Sequence, residues 1–455
     1  MKKADVNNSA HGIGANGRRA GQTEKAYRVA VVGGGAAGLF FAAKYGDADT
    51  LLLEKGDRVG RKLSATGGGW GNVTNLRAGT EYAGAEYAAE SAAREGDNGG
   101  YFTLESGERG KIEQAVRKFP PESLRAFLLS LGCVTFADER GRVYPLSRQA
   151  SSVTDCLRAE ARRRGVNAVT CAEVTRIYRD NAVWKIVTPG GGYAAENVLL
   201  CTGGRAAKHF GSDGGGYALA QSIGHSVTET FPALVQIRCA EKEVRALKGI
   251  RVFDGEAGLY IGGAETARRR GDILFTDYGV SGDCAFKISS FLPPVGATEA
   301  KVVLSLDFLP DLPENTLKSV LASKKERYAD AENGELFTGI LNNRIGETLA
   351  RRVRERQNGK NDGRNVISLL AKEAKSFTLT VTGTAGFDNA QVTKGGVRLA
   401  ETDGNFQSVF AKNVYFAGEI LDVDGACGGY NLQWAYSSAC VAGEDMAKKS
   451  VTARV

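Results

Sequence analysis

Residues 27–54 read Y-R-V-A-V-V-G-G-G-A-A-G-L-F-F-A-A-K-Y-G-D-A-D-T-L-L-L-E. An apolar run, a glycine turn, a helical stretch and a second apolar run closed by an acid follow one another, which is the order of a dinucleotide-binding βαβ unit. Each glycine has its own task. Gly33 permits the tight turn, Gly35 lets backbone N–H groups approach a pyrophosphate, and Gly38 lets the helix lie close on the strand. Glu54 stands about 20 residues on, where a ribose hydroxyl needs an acceptor. A merely glycine-rich turn has no need of that acid, so the pattern as a whole constrains the chain to an α/β fold.

The 455 residues exceed one simple core and predict two or three domains. No apolar run approaches the roughly 20 residues that cross a bilayer, and residues 1–26 hold no secretory stretch. The reading is a cytoplasmic protein with no membrane partner, preceded by a polar, glycine-rich, disordered leader. Eight scattered cysteines without a C-x-x-C pair, and three histidines, argue against zinc or a disulfide framework, so no metal ligands are assigned. The net charge of +7 is small for this length, and the arginine clusters at 162–164, 268–270 and 351–356 read as solvated faces rather than a nucleic-acid surface.

Beyond the βαβ unit, residues 59–75 are too rich in glycine and small polar residues for a regular element and read as a loop presenting N–H groups. Helices are expected over 121–131 and 151–164, each stopped by a glycine. Strands are expected over 167–171, 173–178, 182–188 and 197–201, the last ending in C-T-G-G, small residues that let backbone pass close to a cofactor. Residues 227–308 show short β segments broken by glycines, and 314–375 are charged and helix-favouring, with a loop at 359–363. At the far end a strand at 413–418 leads through I-L-D-V-D-G-A-C-G-G to a helix beginning near Tyr430, whose first N–H groups form a receptor for negative charge.

Together these blocks resemble the FAD-dependent family with a glutathione-reductase-like flavin fold, known as BaiN-type enone reductases, aminoacetone-oxidase-like proteins or NAD(P)/FAD-dependent oxidoreductases. The resemblance spans nearly the whole chain after Tyr27. It is carried by G-R-K-L-S-A-T-G-G-G-W-G-N-V-T-N from Gly60, G-R-V-Y-P-L-S-R from Gly141, G-S-D-G-G-G-Y from Gly211, L-F-T-D-Y-G-V-S-G from Leu274, V-T-G-T-A-G-F-D-N from Val381 and F-A-G-E-I-L-D-V-D-G-A-C-G-G-Y-N-L-Q-W-A from Phe416. It implies a Rossmann-like FAD-binding domain assembled from residues 27–226 and 376–455, an inserted β-rich substrate domain over 227–313 and a small helical insertion over 314–375. In the family's pattern Gly33, Gly35, Ala36, Ala37 and Gly38 cradle the pyrophosphate, Glu54 takes the adenosine ribose, and Lys55, Arg61, Lys62, Gly68 and Asn72 line the cofactor. Val174 lies on a strand beside the adenine, Thr202 and Gly203 meet the pyrophosphate and ribityl chain, and Gly418 and Glu419 serve the same side. Gly429, Tyr430, Asn431 and Leu432 aim N–H groups at the flavin N1 and C2 carbonyl. One departure matters: Trp70 and Gly71 stand where many members have Arg-Cys, so that pair's role does not carry over. The Trp70 indole either closes the pocket or simply packs.

For chemistry the candidates are Tyr430 as proton donor, Cys427 as a redox or nucleophilic thiol, and His209 beside the C-T-G-G strand. Each has a plainer reading, as a helix-start packing residue, a small residue at a tight turn and a structural imidazole. Tyr144 and Ser147 sit on a loop placed to face the flavin, and Asp422 and Asp424 read as caps or turn formers. The resemblance implies FAD as cofactor, NAD(P)H as a transient donor in the absence of a second βαβ unit, and a small-molecule acceptor with an electron-poor double bond. An oxidase of an amine or ketone, an RNA-modifying flavoenzyme and a non-catalytic redox sensor remain alternatives.

Overall fold

The computed structural model describes residues 26–78, 100–293, 298–357 and 366–452. The leader, except its last residue, and the 359–363 loop lie outside the described residues. Strand Tyr27–Val32 runs at the centre of a seven-stranded sheet, parallel to Thr50–Leu53 on one side and to the end of Gly191–Leu200 on the other. Asn167–Val169 extends one edge in parallel, and Val414–Phe416 adds in parallel beside Gly191–Leu200. Val29 to Val32 are all buried, as expected for a parallel strand covered on both faces. The antiparallel strands Val183–Thr188 and Arg176–Asp180 complete the sheet.

Helix Ala36–Tyr45 follows the glycine turn and packs under the C-terminal helix Tyr430–Thr452, so the two ends of the chain share one core containing Phe40, Phe41, Tyr436 and Cys440. Gly38 lets this helix start close on the glycine turn and the first strand, since a Cβ there would meet the Gly33 carbonyl oxygen at 2.0 Å and Val31 Cγ1 at 3.3 Å.

The second lobe is a closed antiparallel barrel of six strands, in the order Ile237–Cys239, Gly279–Ser281, Ala264–Phe275, Arg251–Ile261, Val302–Asp307 and Phe377–Thr384. Residues 251–275 are not the broken β segments expected from their glycines. They form a long hairpin whose turn is Gly262 and Gly263, both at positive φ (+59° and +88°), the pair of conformations a two-residue hairpin turn demands. Phe377–Thr384 closes the barrel, so the expected boundary at 376 falls one strand early. Helices Glu314–Arg327, Asn343–Arg356 and Val366–Lys375 share the barrel's core through Leu317, Leu349 and Leu370, and so do not stand as a unit of their own. The lobes are joined where Phe231–Ala233 pairs with Val392–Lys394.

The expected strand over 173–178 begins only at Arg176, leaving Val174 in the preceding extended segment. The expected strand at 197–201 is the end of a ten-residue strand. No described helix is long and apolar enough to cross a membrane.

Candidate functional site

A cavity of about 780 Å3 opens at the C-terminal ends of the parallel strands and runs to the face of the barrel lobe. Its first part is built by the glycine turn. Gly33 has φ +103°, and a Cβ there would lie 2.5 Å from the Cys201 carbonyl oxygen, so only glycine lets the first turn pass the end of the neighbouring strand. Gly35 differs: its φ is an ordinary −75°, and the nearest atom to a Cβ is 4.0 Å away. The fold does not require glycine at 35, and the space beside it belongs to the cavity. Glu54, at the end of Thr50–Leu53, accepts the Gly34 N–H at 2.8 Å and the Gly56 N–H at 2.7 Å, which fixes its carboxylate facing the cavity. Ala172 to Val174 line the same end.

The middle of the cavity is tied across the chain. Lys62 donates to Glu419 at 2.9 Å, and the other Glu419 oxygen accepts the Thr393 N–H at 2.9 Å. Thr202 and Gly203 line this section. Asn72 Oδ1 and Thr202 Oγ1 are buried, face the cavity region and have no hydrogen-bond partner among the described residues. Buried polar atoms without partners are costly, and two of them along one cleft imply a polar ligand. The pinned Glu54, the open Gly35 and these two orphaned oxygens fit a dinucleotide laid along the sheet edge.

At the far end Gly428 and Gly429 enter the C-terminal helix at φ +116° and +104°, and a Cβ on Gly429 would lie 2.4 Å from the Thr74 carbonyl. Asn75 donates to the Gly428 carbonyl at 3.1 Å, and Asn431 bonds both backbone groups of Gly425, holding the loop against the helix start. Strand Arg142–Pro145 alternates: Val143 is buried, while Arg142 and Tyr144 reach the cavity. Arg142 Nε donates to Asp138 at 2.8 Å. Burial pushes the Tyr144 phenol up from its ordinary range despite the opposing Arg142 charge, so it stays protonated at neutral pH. From the barrel lobe, helix Asp283–Ser289 contributes Asp283, Phe286 and Lys287, with Lys287 and Asp283 paired at 3.0 Å.

The proposed lining residues divide. Gly33, Gly35, Ala36, Ala37, Glu54, Lys55, Arg61, Lys62, Gly68, Asn72, Val174, Thr202, Gly203, Gly418, Glu419, Gly429, Asn431 and Leu432 all line the cavity. Gly38 does not; its work is the helix–strand contact described above. Tyr430 does not line it either: the residue is 2% exposed, and its ring packs edge-on against Tyr101 at 5.7 Å, which removes it as proton donor. His209 lines the cavity, and its carbonyl accepts from Arg61 at 3.1 Å. Cys427 lies at the reacting end, but burial of the thiol and the nearby Asp283 carboxylate push it up to about 12, so it is a thiol and not a thiolate nucleophile at neutral pH. Asp422 and Asp424 are both buried, and Asp422 accepts the Leu104 N–H at 3.2 Å.

Reading from sequence alone left out Arg140, Arg142, Asp283 and Lys287. The period-two alternation in R-V-Y-P was the available signal for Arg142; nothing local marks the barrel-lobe pair.

The profile of the HI0933-like protein Rossmann domain matches residues 27–445. The chain belongs to the HI0933-like family. A 3-dehydro-bile acid delta(4,6)-reductase from Clostridium scindens is 32% identical, with 93% of this chain and 99% of that protein covered. A ribosomal RNA dihydrouridine synthase from Escherichia coli is 26% identical, covering 91% of this chain and 97% of the relative. A solved 3-ketosteroid-delta4-(5alpha)-dehydrogenase from Rhodococcus jostii is similar over 93% of this chain and 98% of its own, at 16% identity and a TM-score of 0.45. This HI0933-like chain is an FAD-dependent oxidoreductase.

Proposed function

We propose that this protein reduces an electron-poor carbon–carbon double bond of a small molecule, with NAD(P)H as electron donor. The observation that carries the reading is the placement of Arg142 and Tyr144 on one strand face, beside Gly428, at the end of the cavity opposite Glu54. When bound, FAD supplies hydride transfer at N5. Glu54 holds the adenosine ribose, and the N–H groups of the glycine turn and of the C-terminal helix start hold the pyrophosphate and the flavin ring edge. Arg142, steadied by Asp138, binds the carbonyl oxygen conjugated to the double bond and draws its developing negative charge. The Tyr144 phenol donates a proton to the carbon next to that carbonyl and is reprotonated from water. Phe286, from the barrel lobe, lines the same cavity.

The activities named for the two relatives support this reading, since a delta(4,6)-3-oxo acid and a uracil ring both present a double bond conjugated to a carbonyl. The second relative also favours an RNA substrate. Against that reading, Arg268 pairs with Glu256 and Glu265, and Arg270 with Asp254 and Asp311, which leaves that arginine-rich hairpin little positive charge for phosphates.

The test is anaerobic stopped-flow. NADH or NADPH is expected to bleach the flavin, and pent-3-en-2-one to restore its colour. Failure of both nucleotides to reduce the flavin contradicts the NAD(P)H-dependent reductase.

A further inference from the structure

We infer that Trp70, together with Arg148 and Tyr144, forms a stacking platform for a flat unsaturated ring of the substrate, beside the stretch of cavity wall made by Gly67, Gly68 and Tyr144. The inference rests on the proposed reduction at this site and names the kind of molecule it takes. Trp70 is 50% exposed, whereas Trp184 and Trp434 are 4% and 1% exposed. An indole left this open is not serving the core. It is nevertheless held in place. Gly71, at φ +77°, is pressed against the start of helix Ala150–Arg163, since a Cβ there would lie 2.8 Å from Ala150 Cα, and its N–H donates to Thr66 at 3.0 Å. On the other side Gly67 and Gly68, both at positive φ, form the cavity wall and turn the chain outward to Trp70.

The neighbours of the indole are themselves ordered as a stack. Its ring meets Tyr144, a cavity-lining residue, edge-on at 6.3 Å, and Tyr144 stacks on Phe136 at 5.8 Å. The Arg148 guanidinium lies 5.2 Å from the Trp70 centroid and 5.3 Å from that of Phe136. Arg148 holds this position from a left-handed backbone at φ +53°, which non-glycine residues rarely adopt and which favours a positioned role over a casual surface contact. Rings and a guanidinium arranged in this way attract another π-face, and the Arg148 guanidinium favours a neutral or anionic ring over a cationic one. Because Tyr144 belongs both to the stack and to the reacting end, a ring resting beside Trp70 places an attached double bond next to Arg142.

A matched pair of enones tests it on the full-length, FAD-loaded protein. 4-Phenylbut-3-en-2-one and pent-3-en-2-one carry the same reacting group and differ in a phenyl against a methyl. Wild type is expected to show a KM about tenfold lower for the phenyl compound, Trp70→Ala to lose that preference, and Trp70→Phe to keep part of it. Binding is read independently of turnover: the phenyl enone is expected to quench the fluorescence that distinguishes wild type from Trp70→Phe, and pent-3-en-2-one is not. Retention of the phenyl preference in Trp70→Ala, or equal quenching by both compounds, overturns the platform. Salt-sensitive quenching by a uridine-containing RNA hairpin without quenching by the phenyl enone overturns the small-molecule assignment. If neither enone is reduced, the proposed reaction fails while the quenching result still decides the platform.

Discussion

Lys62 and Glu419, 357 positions apart in the chain, meet at 2.9 Å in the wall of the cavity and join the glycine-rich loop to the C-terminal segment. The free Glu419 oxygen is taken by the Thr393 N–H, so three segments close on one carboxylate. Glu419→Ala leaves a lysine and a backbone N–H without their acceptor at a partly buried position. FAD affinity is expected to fall roughly tenfold, corresponding to ~1.4 kcal/mol. Fluorescence titration of the apoprotein with FAD checks this; unchanged affinity removes Glu419 from the cofactor wall.

Gly35 and Gly38 separate ligand requirement from fold requirement. A Cβ on Gly38 would strike the Gly33 carbonyl, so Gly38→Ala is expected to lower stability by about 2–3 kcal/mol. A Cβ on Gly35 meets only a carbonyl oxygen at 4.0 Å, so Gly35→Ala should leave the apoprotein's melting temperature nearly unchanged while weakening FAD binding. Thermal melts with and without FAD distinguish the two.

These two glycines also show how far the sequence could be read. The turn, the acid and the second strand are local and have fixed spacing, so the dinucleotide half of the site was legible from residues 27–54. At the other end Tyr144, Cys427 and Gly429 were also named from sequence, but Arg142, Asp283 and Lys287 were not, because they come from distant segments that only the docking of barrel on sheet brings together. For Tyr430 the sequence left two readings, proton donor or helix-start packing; its buried ring lies edge-on against Tyr101, as the packing reading has it. In the middle region, glycines inside strand Arg251–Ile261 resembled breaks because a one-dimensional pattern does not reveal a closing barrel.

Asp424 gives the pH dependence its sign. Burial, against the opposing charge of Lys394 and with Asp422 and Glu419 adding to it, raises its carboxyl from 3.8 to about 7. Between those values the folded chain holds the proton and the unfolded chain releases it, so this carboxyl's contribution to stability is greatest in acid and declines as pH rises toward 7. Asp424→Asn is expected to flatten the fall in melting temperature between pH 5 and pH 8; an equally steep fall in the variant contradicts this.

Cys427 and Cys171 should differ in reactivity. Cys171 is exposed, whereas the Cys427 thiol is held protonated by burial and by Asp283. Limited alkylation with iodoacetamide at pH 8, read by mass spectrometry, is expected to modify Cys171 first, and Cys427→Ser should retain most enone reduction. Rapid labelling of Cys427, or loss of activity by a hundredfold in that variant, would restore it as a chemical participant.

The reacting pair is tested by Tyr144→Phe and Arg142→Met. Loss of a positioned proton donor costs on the order of 10²–10⁴ in rate, so Tyr144→Phe is expected to lower kcat within that range with little change in KM. Arg142→Met should raise KM for the enone as well as lower kcat. Steady-state kinetics across pH 6 to 9 checks both, and a Tyr144→Phe enzyme with wild-type kcat would remove the phenol from the reaction.

FAD occupying the cleft from Glu54 to Gly428 underlies every role given to these residues. The absorption spectrum of the purified full-length protein after reconstitution with FAD and gel filtration measures this. One FAD per chain is expected to co-elute with wild type and to be lost from a Gly35→Val variant that keeps its fold. A wild-type protein that elutes without flavin absorbance, or a Gly35→Val variant that retains a full complement, would contradict it.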